Sequence, residues 1–231
     1  MQGLLLIDKP SEWTSFDVVN KVRRMVAVNE EKKPKNCKVG HTGTLDPLAT
    51  GLLVLLVGKD YTRRAQELTK LDKTYEVTMK LGETSTTGDD EGEKTVVSDT
   101  IPSPEDLQAA LAQFTGQIMQ VPPAFSAIKI DGKRAYDLAR AGKEVKLEAR
   151  PVTISSITLK RYEYPFVEFT CDVSSGTYVR SLVEDLGNVL KTGAYMSALR
   201  RTRVGQFQLK NARTVAELSA ENLAAHLSEL S

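Results

Sequence analysis

Residues 40–51 read GHTGTLDPLATG and lead directly into an apolar stretch, LLVLLV, at residues 52–57. The first stretch contains three glycines, three threonines and one proline, a composition that disfavours both helix and strand. It therefore predicts a structured loop that feeds a buried strand. His41 and Asp46 lie on this loop, and loops held by a rigid scaffold commonly carry reactive side chains. A glycine-rich turn in which Asp46 bonds nearby backbone N–H groups explains the same residues.

The composition is that of a globular protein with its own core. The chain has 231 residues, of which 41% are hydrophobic and 26% are charged. A chain of this length buries a sizeable core without disulfides or metals. No apolar run approaches the roughly 18 residues of a membrane span, and residues 1–9 lack the pattern of a signal peptide. Cys37 and Cys171 are far apart in the sequence, so we expect free buried thiols in a cytoplasmic protein.

Several classes of enzyme have no support in the sequence. The chain has two histidines and two cysteines, which disfavours a zinc site. Residues 58–60 read GKD and lack the glycine spacing and the hydroxyl of a P-loop. Neither a G-x-G-x-x-G nor a G-x-S-x-G motif occurs. The remaining candidate is the carboxylate of Asp46 on its glycine-rich loop, with no metal or cofactor. A lone carboxylate of this kind fits nucleophilic or general-base chemistry.

The apolar periodicity and the helix-start signals predict mixed helices and strands. We expect helices to begin near Thr14 and Ser103, because each hydroxyl precedes an acidic residue three positions later. Residues 128–133 resemble a tight hairpin with Asp131 and Gly132 in its turn. Further helices are predicted over residues 134–141, 179–190 and 214–230, and strands over residues 3–7, 51–57, 74–81, 152–159 and 167–173. This order predicts an α+β fold with a mixed, largely antiparallel sheet flanked by helices, and not a doubly wound fold.

Positive charge is unevenly distributed, although the formal net charge is only +1. One cluster lies at Lys129, Lys133 and Arg134, and residues 200–213 carry five basic residues and no acidic one. A near-neutral protein with such a basic face can attract a phosphate backbone. Ordinary solvated surface charge explains the same pattern.

The loop at residues 40–51 resembles the central motif of the bacterial tRNA pseudouridine-55 synthase family, whose signature is close to GHTGTLDPLATGLL. Other segments resemble the family's remaining motifs in the same order, so that the resemblance covers most of residues 3–207. These segments are DKP at residues 8–10, KTY at 73–75, PP at 122–123, SSGTYVRSL at 174–182 and LRRT at 199–202.

The resemblance implies the pseudouridine synthase fold and a reaction. Uridine 55 in the T-loop of tRNA would be flipped out of its stack and isomerised to pseudouridine, with no cofactor and no metal. Asp46 would be the catalytic carboxylate and Arg180 its ion-pair partner. His41, Tyr75, Tyr178 and Leu199 would contact the flipped nucleotide or line its pocket. Candidate contacts to RNA phosphates are Lys9, Lys129, Lys133, Arg134, Arg200, Arg201 and Arg203.

The resemblance also predicts the organisation of the chain. We expect one catalytic domain over residues 1–231, with an RNA-gripping insertion around residues 117–150 and without the C-terminal PUA-type RNA-binding domain of many relatives. The expected partner is tRNA, with no membrane and no obligatory protein partner, and the expected state is a monomer. The sequence departs from the family's usual residues at Glu12, commonly glycine, at Val173, commonly cysteine, and at Tyr195, often histidine.

Other functions remain compatible with these residues. A non-catalytic RNA chaperone that opens T-loops would use the same basic surface and Tyr75 but would not need Asp46. The guide-RNA branch of the superfamily, the dyskerin-like synthases, depends on a PUA domain and partner proteins, so the length of this chain disfavours it. A soluble α+β domain with a structured loop does not explain the ordered series of motifs.

Overall fold

A computed structural model describes residues 1–126, 128–130, 132–143 and 145–229 of the chain. Its α-helices are α1 (Ser15–Asn29), α2 (Lys59–Arg63), α3 (Ala65–Thr69), α4 (Pro104–Gln113), α5 (Ala135–Arg140) and α6 (Val179–Val189). Its first seven strands are β1 (Gly3–Lys9), β2 (Val39–His41), β3 (Thr50–Val57), β4 (Lys73–Leu81), β5 (Glu83–Ser85), β6 (Lys94–Val96) and β7 (Gly116–Gln120). The remaining strands are β8 (Lys129–Ile130), β9 (Lys133–Arg134), β10 (Arg150–Glu163), β11 (Phe166–Val173), β12 (Ala194–Val204), β13 (Phe207–Gln208) and β14 (Arg213–Thr214).

The sheet confirms the predicted α+β class. Ten strands belong to one mixed sheet, and two small hairpins pair β5 with β6 and β8 with β9. Strand β1 pairs with β14 in parallel, and β12 pairs with β3 in parallel, whereas β1–β3, β2–β3, β7–β10, β10–β11 and β12–β13 are antiparallel. This mixture excludes the doubly wound fold, whose strands run mostly parallel.

The chain divides into two compact units. The first comprises Met1–Tyr75 with Leu199–Ser231, and the second comprises Glu76–Ala198. In the first unit β1 pairs with β3 along its whole length, from Gly3 opposite Val57 to Lys9 opposite Gly51. In the second unit β10 lies between β7 and β11. The prediction of a single catalytic domain with an insertion around residues 117–150 stays a prediction.

Strand β3 forms the centre of the first unit. Every side chain of residues 52–57 is fully buried, as the apolar run predicts for a strand covered on both faces. Leu52, Val54 and Leu56 pack against Leu4, Leu68 and Val204 in one apolar cluster. The loop at residues 42–49 therefore ends on a rigid strand.

Both predicted helix starts are confirmed. Thr14 caps α1 and Ser103 caps α4, and in each case the hydroxyl accepts the backbone N–H of an aspartate three residues later, whose carboxylate bonds the cap residue in return. These reciprocal bonds satisfy backbone donors that a helix N-terminus would otherwise leave unpaired.

The predicted helix over residues 214–230 is wrong. The structure has short 3-10 turns at Val215–Glu217 and Leu223–His226 instead. Asn222 accepts the N–H of Ser219 at 2.9 Å and donates to the carbonyl of Glu217 at 2.9 Å. Such side-chain bonds compete with the helical pattern of the backbone.

The region around residues 128–141 agrees with prediction where it is described. Strands β8 and β9 form the expected hairpin, and α5 follows directly. Asp131, in the predicted turn, lies outside the described residues. Within the described part of the chain, no helix is both long enough and apolar enough to cross a membrane.

The backbone at Glu12 shows why the family favours glycine there. Its φ is +66°, in the left-handed region where a β-carbon is unfavourable. The backbone N–H of Glu12 nevertheless donates to the carbonyl of Pro47 at 2.9 Å, so the turn is tied to the loop that carries Asp46.

Replacing Glu12 with glycine should raise the free energy of unfolding by about 1 kcal/mol, because it removes the clash of the β-carbon at positive φ. Urea unfolding of the parent chain, Glu12→Gly and Glu12→Ala would measure this. Glu12→Ala removes the charge but keeps the β-carbon, so it should not stabilise. Equal stabilisation by both variants would attribute the effect to the charge and contradict the backbone argument.

Candidate active site

The buried ammonium of Lys9 links the N-terminal segment to the loop. Lys9 ends β1, is 0% exposed and donates to the carbonyls of Pro10 at 2.8 Å, Trp13 at 2.5 Å and Pro47 at 3.2 Å. An ammonium has three N–H donors, so these carbonyls match its full capacity. The predicted contact of Lys9 with an RNA phosphate is therefore wrong, since its charged group faces inward and is occupied by the protein.

The loop is fixed on both sides of Asp46. Ser15, buried at the start of α1, donates its hydroxyl to the carbonyl of Leu45 at 3.0 Å and accepts the N–H of Leu45 at 2.8 Å. On the other side, Pro47 accepts from Lys9. The carbonyl of Asp46 itself accepts the N–H of Ala49 at 3.1 Å. Asp46 is half-buried, and hydrogen bonds hold the residues on both sides of it, Leu45 and Pro47.

Arg201 holds the first half of the loop. It is 1% exposed, and its guanidinium donates to the carbonyls of Leu52 at 2.7 Å, Gly43 at 3.0 Å and Thr44 at 3.4 Å. The predicted phosphate contact of Arg201 is wrong for the same reason as that of Lys9. Gly51, opposite Arg201 in the β3–β12 pair, has a φ of +97°, and a β-carbon there would lie 2.4 Å from the carbonyl oxygen of Arg201.

His41 is positioned as a neutral hydrogen-bond donor. Its ring nitrogen Nδ1 accepts the backbone N–H of Gly43 at 3.3 Å, which places the proton of the neutral ring on Nε2. Burial, and then the positive charge of Arg201, lower the pKa of His41 below its ordinary value of 6.5. At neutral pH the ring is therefore uncharged and can donate through Nε2.

Sequence reasoning missed that three buried cations surround this loop. Besides Lys9 and Arg201, Lys73 is buried and donates to the carbonyls of Thr69 at 3.0 Å and Leu71 at 2.5 Å. Burial lowers the pKa of Lys9 to about 8, and the nearby charge of Asp46 opposes that shift. Burial likewise lowers the pKa of Lys73 to about 8. Strand periodicity offered one signal, because Lys9 continues the inward-facing positions of Leu5 and Ile7.

Other predicted residues of the first unit lie on the strands. Tyr75 in β4 and Leu199 in β12 are buried. Arg200 is 40% exposed; its guanidinium pairs with the carboxylate of Asp8 at 2.7 Å and donates to the hydroxyl of Thr50 at 3.3 Å. The guanidinium of Arg203 donates to the hydroxyl of Thr74 at 2.8 Å and the carbonyl of Gly205 at 3.0 Å.

In the second unit, Arg180 is buried at the start of α6, which excludes the alternative of an ordinary surface arginine. Its guanidinium lies 3.4 Å from the carboxylate of Asp89 and donates to the carbonyls of Thr87 at 3.2 Å and Phe125 at 2.9 Å. Asp89 was not among the predicted site residues. The predicted ion pair of Arg180 with Asp46 stays a prediction.

Two further predicted residues have defined surroundings. The backbone N–H of Tyr178 donates to the side-chain oxygen of Gln120 at 2.8 Å, and its carbonyl accepts from the Gln120 amide at 3.1 Å. Lys133 is exposed, as a phosphate contact requires. The side chains of Lys129 and Arg134 lie outside the described part of the structure.

The lowered pKa of Lys9 predicts a specific dependence of stability on pH. Between about pH 8, its folded value, and its ordinary value of 10.5, the unfolded chain holds more protons at this position than the folded chain. The contribution of Lys9 to the free energy of unfolding should therefore rise with pH across this window and be lost as pH falls through about 8. Urea unfolding at several pH values should show the parent chain gaining stability relative to Lys9→Met as pH rises.

Lys35→Met is the matched control, because Lys35 is exposed and its removal should give a difference from the parent that does not change with pH. The lowered pKa would be contradicted if the difference in free energy of unfolding between the parent and Lys9→Met stayed constant or fell as pH rises. Lys73→Met should behave like Lys9→Met, since burial lowers both pKa values.

Comparison with known proteins places this chain in a family. Residues 29–179 match the model of the TruB family pseudouridylate synthase N-terminal domain, and residues 180–230 match that of the tRNA pseudouridylate synthase B C-terminal domain. The tRNA pseudouridine synthase B of Cupriavidus metallidurans is 47% identical over 223 residues, which cover 96% of this chain and 68% of the relative. The corresponding protein of Burkholderia lata is 47% identical over 222 residues, which cover 95% of this chain and 65% of the relative.

Among solved structures, a chain in the crystal structure of a Cbf5-Nop10-Gar1 complex is similar, with a TM-score of 0.71 and 28% identity. The match covers 94% of the present chain and 53% of that chain. Two family models in sequence, curated relatives of 47% identity and a similar solved structure therefore agree with one another. This chain belongs to the TruB family of pseudouridine synthases.

Proposed function

We propose that this protein converts uridine 55 in the T-loop of tRNA to pseudouridine, with Asp46 as the catalytic residue. The observation that carries the proposal is the mounting of the Asp46 loop, whose carbonyls on both sides of the carboxylate are bonded by buried side chains. Fixed placement of a reactive group is a large part of enzymatic rate enhancement. The curated relatives named tRNA pseudouridine synthase B support the substrate and the reaction.

The reaction is an isomerisation, so the composition of the nucleotide does not change. The bond between the ribose and a nitrogen of uracil breaks, the base turns, and a bond forms between the same ribose carbon and a carbon of the ring. That ring carbon loses its proton to solvent, and the released nitrogen gains a proton. Asp46 attacks the sugar, attacks the ring or removes a sugar proton, and each route needs a carboxylate held close to the nucleotide. The buried cations Lys9 and Arg201 supply fixed positive charge, which stabilises negative charge on the departing uracil.

The remaining residues would hold the flipped nucleotide. Neutral His41 supports the nucleotide by donation from Nε2, and Tyr75 stacks on the uracil. Tyr178 and Leu199 line the pocket, and Arg180 pairs with Asp46. Contacts from Lys133, Arg200 and Arg203 to phosphates position the RNA and offset the cost of flipping. In this proposal the protein acts as a monomer without a cofactor, a metal or a protein partner.

The central experiment compares the parent chain with Asp46→Asn on a T-arm stem-loop RNA. Asp46→Asn keeps the shape of the side chain and removes its charge, so pseudouridine formation should fall by at least about a thousandfold while RNA binding is retained. Release of tritium from uridine labelled at the carbon that forms the new bond measures the reaction, and filter binding measures affinity. Asp60→Asn, an exposed substitution in α2, is the matched control and should retain full activity.

If the parent chain binds the RNA but does not modify it, the non-catalytic chaperone becomes the better explanation. Unchanged activity of Asp46→Asn would contradict the catalytic role of this residue while leaving the reaction itself in place.

The salt dependence of RNA binding separates exposed cations from buried ones. Lys133→Ala should weaken binding and reduce the slope of log affinity against log salt concentration by about 0.7–0.9, because one phosphate contact is lost. Lys9→Met should leave the slope unchanged, because the ammonium of Lys9 is occupied by three carbonyls. A normal slope for Lys133→Ala would exclude Lys133 as a phosphate contact, and a reduced slope for Lys9→Met would contradict its structural role.

A further inference from the structure

A cavity in the first unit, lined in part by Lys9 and Thr50 beside the Asp46 loop, has the chemistry of a nucleotide-binding site. Its volume is about 450 Å³, within the usual range for sites that bind small molecules. Its lining combines one aromatic side chain, apolar side chains and two partly or fully exposed cations. The residues that carry the argument are Pro10, Trp13, Lys21, Arg200, Val215 and Ala216.

Trp13 is the aromatic component of this cavity. It is the single tryptophan of the chain and is half-buried, although an indole of this size would gain more from full burial. Its backbone is fixed, because its carbonyl accepts the ammonium of Lys9 at 2.5 Å. A partly exposed indole on an anchored backbone, in the same cavity as Val215 and Ala216, offers a surface on which a base can stack.

The charge of the cavity complements a phosphate. Lys21 is exposed, and the guanidinium of Arg200 is 40% exposed. The acidic residue of the lining, Asp8, is paired with Arg200 at 2.7 Å, so the exposed charge that remains is positive. The bonds of Arg200 to Asp8 and Thr50 use two of its five N–H donors, which leaves donors for a second oxygen ligand.

We propose that this cavity binds a nucleotide, with the base stacked on Trp13 and the phosphate held by Lys21 and Arg200. The source that fits best is an unpaired nucleotide of the RNA substrate, and this part of the inference rests on the proposed function. Lys9 joins the carbonyl of Trp13 to that of Pro47, next to Asp46, so the Trp13 site and the catalytic loop share one anchor. A free mononucleotide has the same chemistry.

The single tryptophan makes the test direct, because all tryptophan fluorescence of the protein comes from Trp13. The intact chain would be titrated with adenosine 5′-monophosphate, adenosine, ribose 5-phosphate and a T-arm RNA with unpaired flanking nucleotides. We expect quenching by the nucleotide and the RNA, and about tenfold weaker binding of adenosine, which lacks the phosphate. Lys21→Ala should remove most of the preference for the phosphate, whereas Lys35→Ala, on an exposed turn outside the cavity, should keep it.

RNA affinity provides the second measurement. Trp13→Leu keeps apolar bulk but cannot stack, and it should weaken RNA binding by about tenfold, whereas Trp13→Phe should retain most of the affinity. Thermal unfolding of both variants would show that each is folded. Quenching by RNA alone would identify the ligand as part of the substrate, and quenching by the mononucleotide alone would identify a free nucleotide.

The proposal is overturned if neither ligand quenches the fluorescence, or if folded Trp13→Leu binds RNA as tightly as the parent and the mononucleotide does not quench. These outcomes are independent of the proposed function. If the protein forms pseudouridine but shows no quenching, the proposed function stands and the nucleotide site does not. If the protein binds the mononucleotide without modifying RNA, the nucleotide site stands and the proposed function does not.

Discussion

The first unit depends on two buried cations whose hydrogen bonds all end on backbone carbonyls. Lys9 extends inward from the end of β1 and Arg201 from within β12, and together they bond six carbonyls. Three of these carbonyls, at Gly43, Thr44 and Pro47, belong to the loop that carries Asp46. Leaving one such buried carbonyl without a donor costs about 1–3 kcal/mol. These charged hydrogen bonds therefore hold the loop in place, together with the buried side chains of Leu45 and Ala49.

Burying these two cations is costly, and Lys9 lies close enough to Asp46 to interact with its charge. Burying a charge costs several kcal/mol in lost solvation, and apolar replacements of buried ion pairs are often neutral or stabilising. A loop without regular secondary structure cannot satisfy all of its own carbonyls, however, and long basic side chains deliver several donors to one point. The charge of Asp46 acts on Lys9 across this short distance. In the proposed reaction, the same groups that fix the backbone would also supply positive charge for the departing uracil.

The sequence predicted the features that depend on neighbouring residues and missed those that depend on distant ones. The apolar strand β3 and the capped helices are local patterns, and each was confirmed. The loop predicted over residues 40–51 is shorter in the structure, because Gly40 and His41 belong to β2 and residues 50–51 to β3. Lys9 and Arg201 were interpreted as phosphate contacts because charge usually indicates surface, whereas their carbonyl partners come from segments as far as 158 residues away. The prediction of a C-terminal helix was wrong because the side chain of Asn222 bonds the backbone groups of Ser219 and Glu217.

Two groups of the described cations have different physical roles, those buried and bonded by the protein and those exposed to solvent, whereas Arg200 is 40% exposed and paired with Asp8. Arg180, in the second unit, belongs to the buried group, because its guanidinium is bonded by groups of the protein. A guanidinium at a helix N-terminus is disfavoured by the helix dipole, and the carboxylate of Asp89 together with two carbonyls compensates for that cost. Lys133 and Lys21 form the exposed group, whose charge can reach phosphates. Because the groups do not overlap, RNA affinity should respond to salt and to exposed lysines, while the geometry around Asp46 should respond to neither.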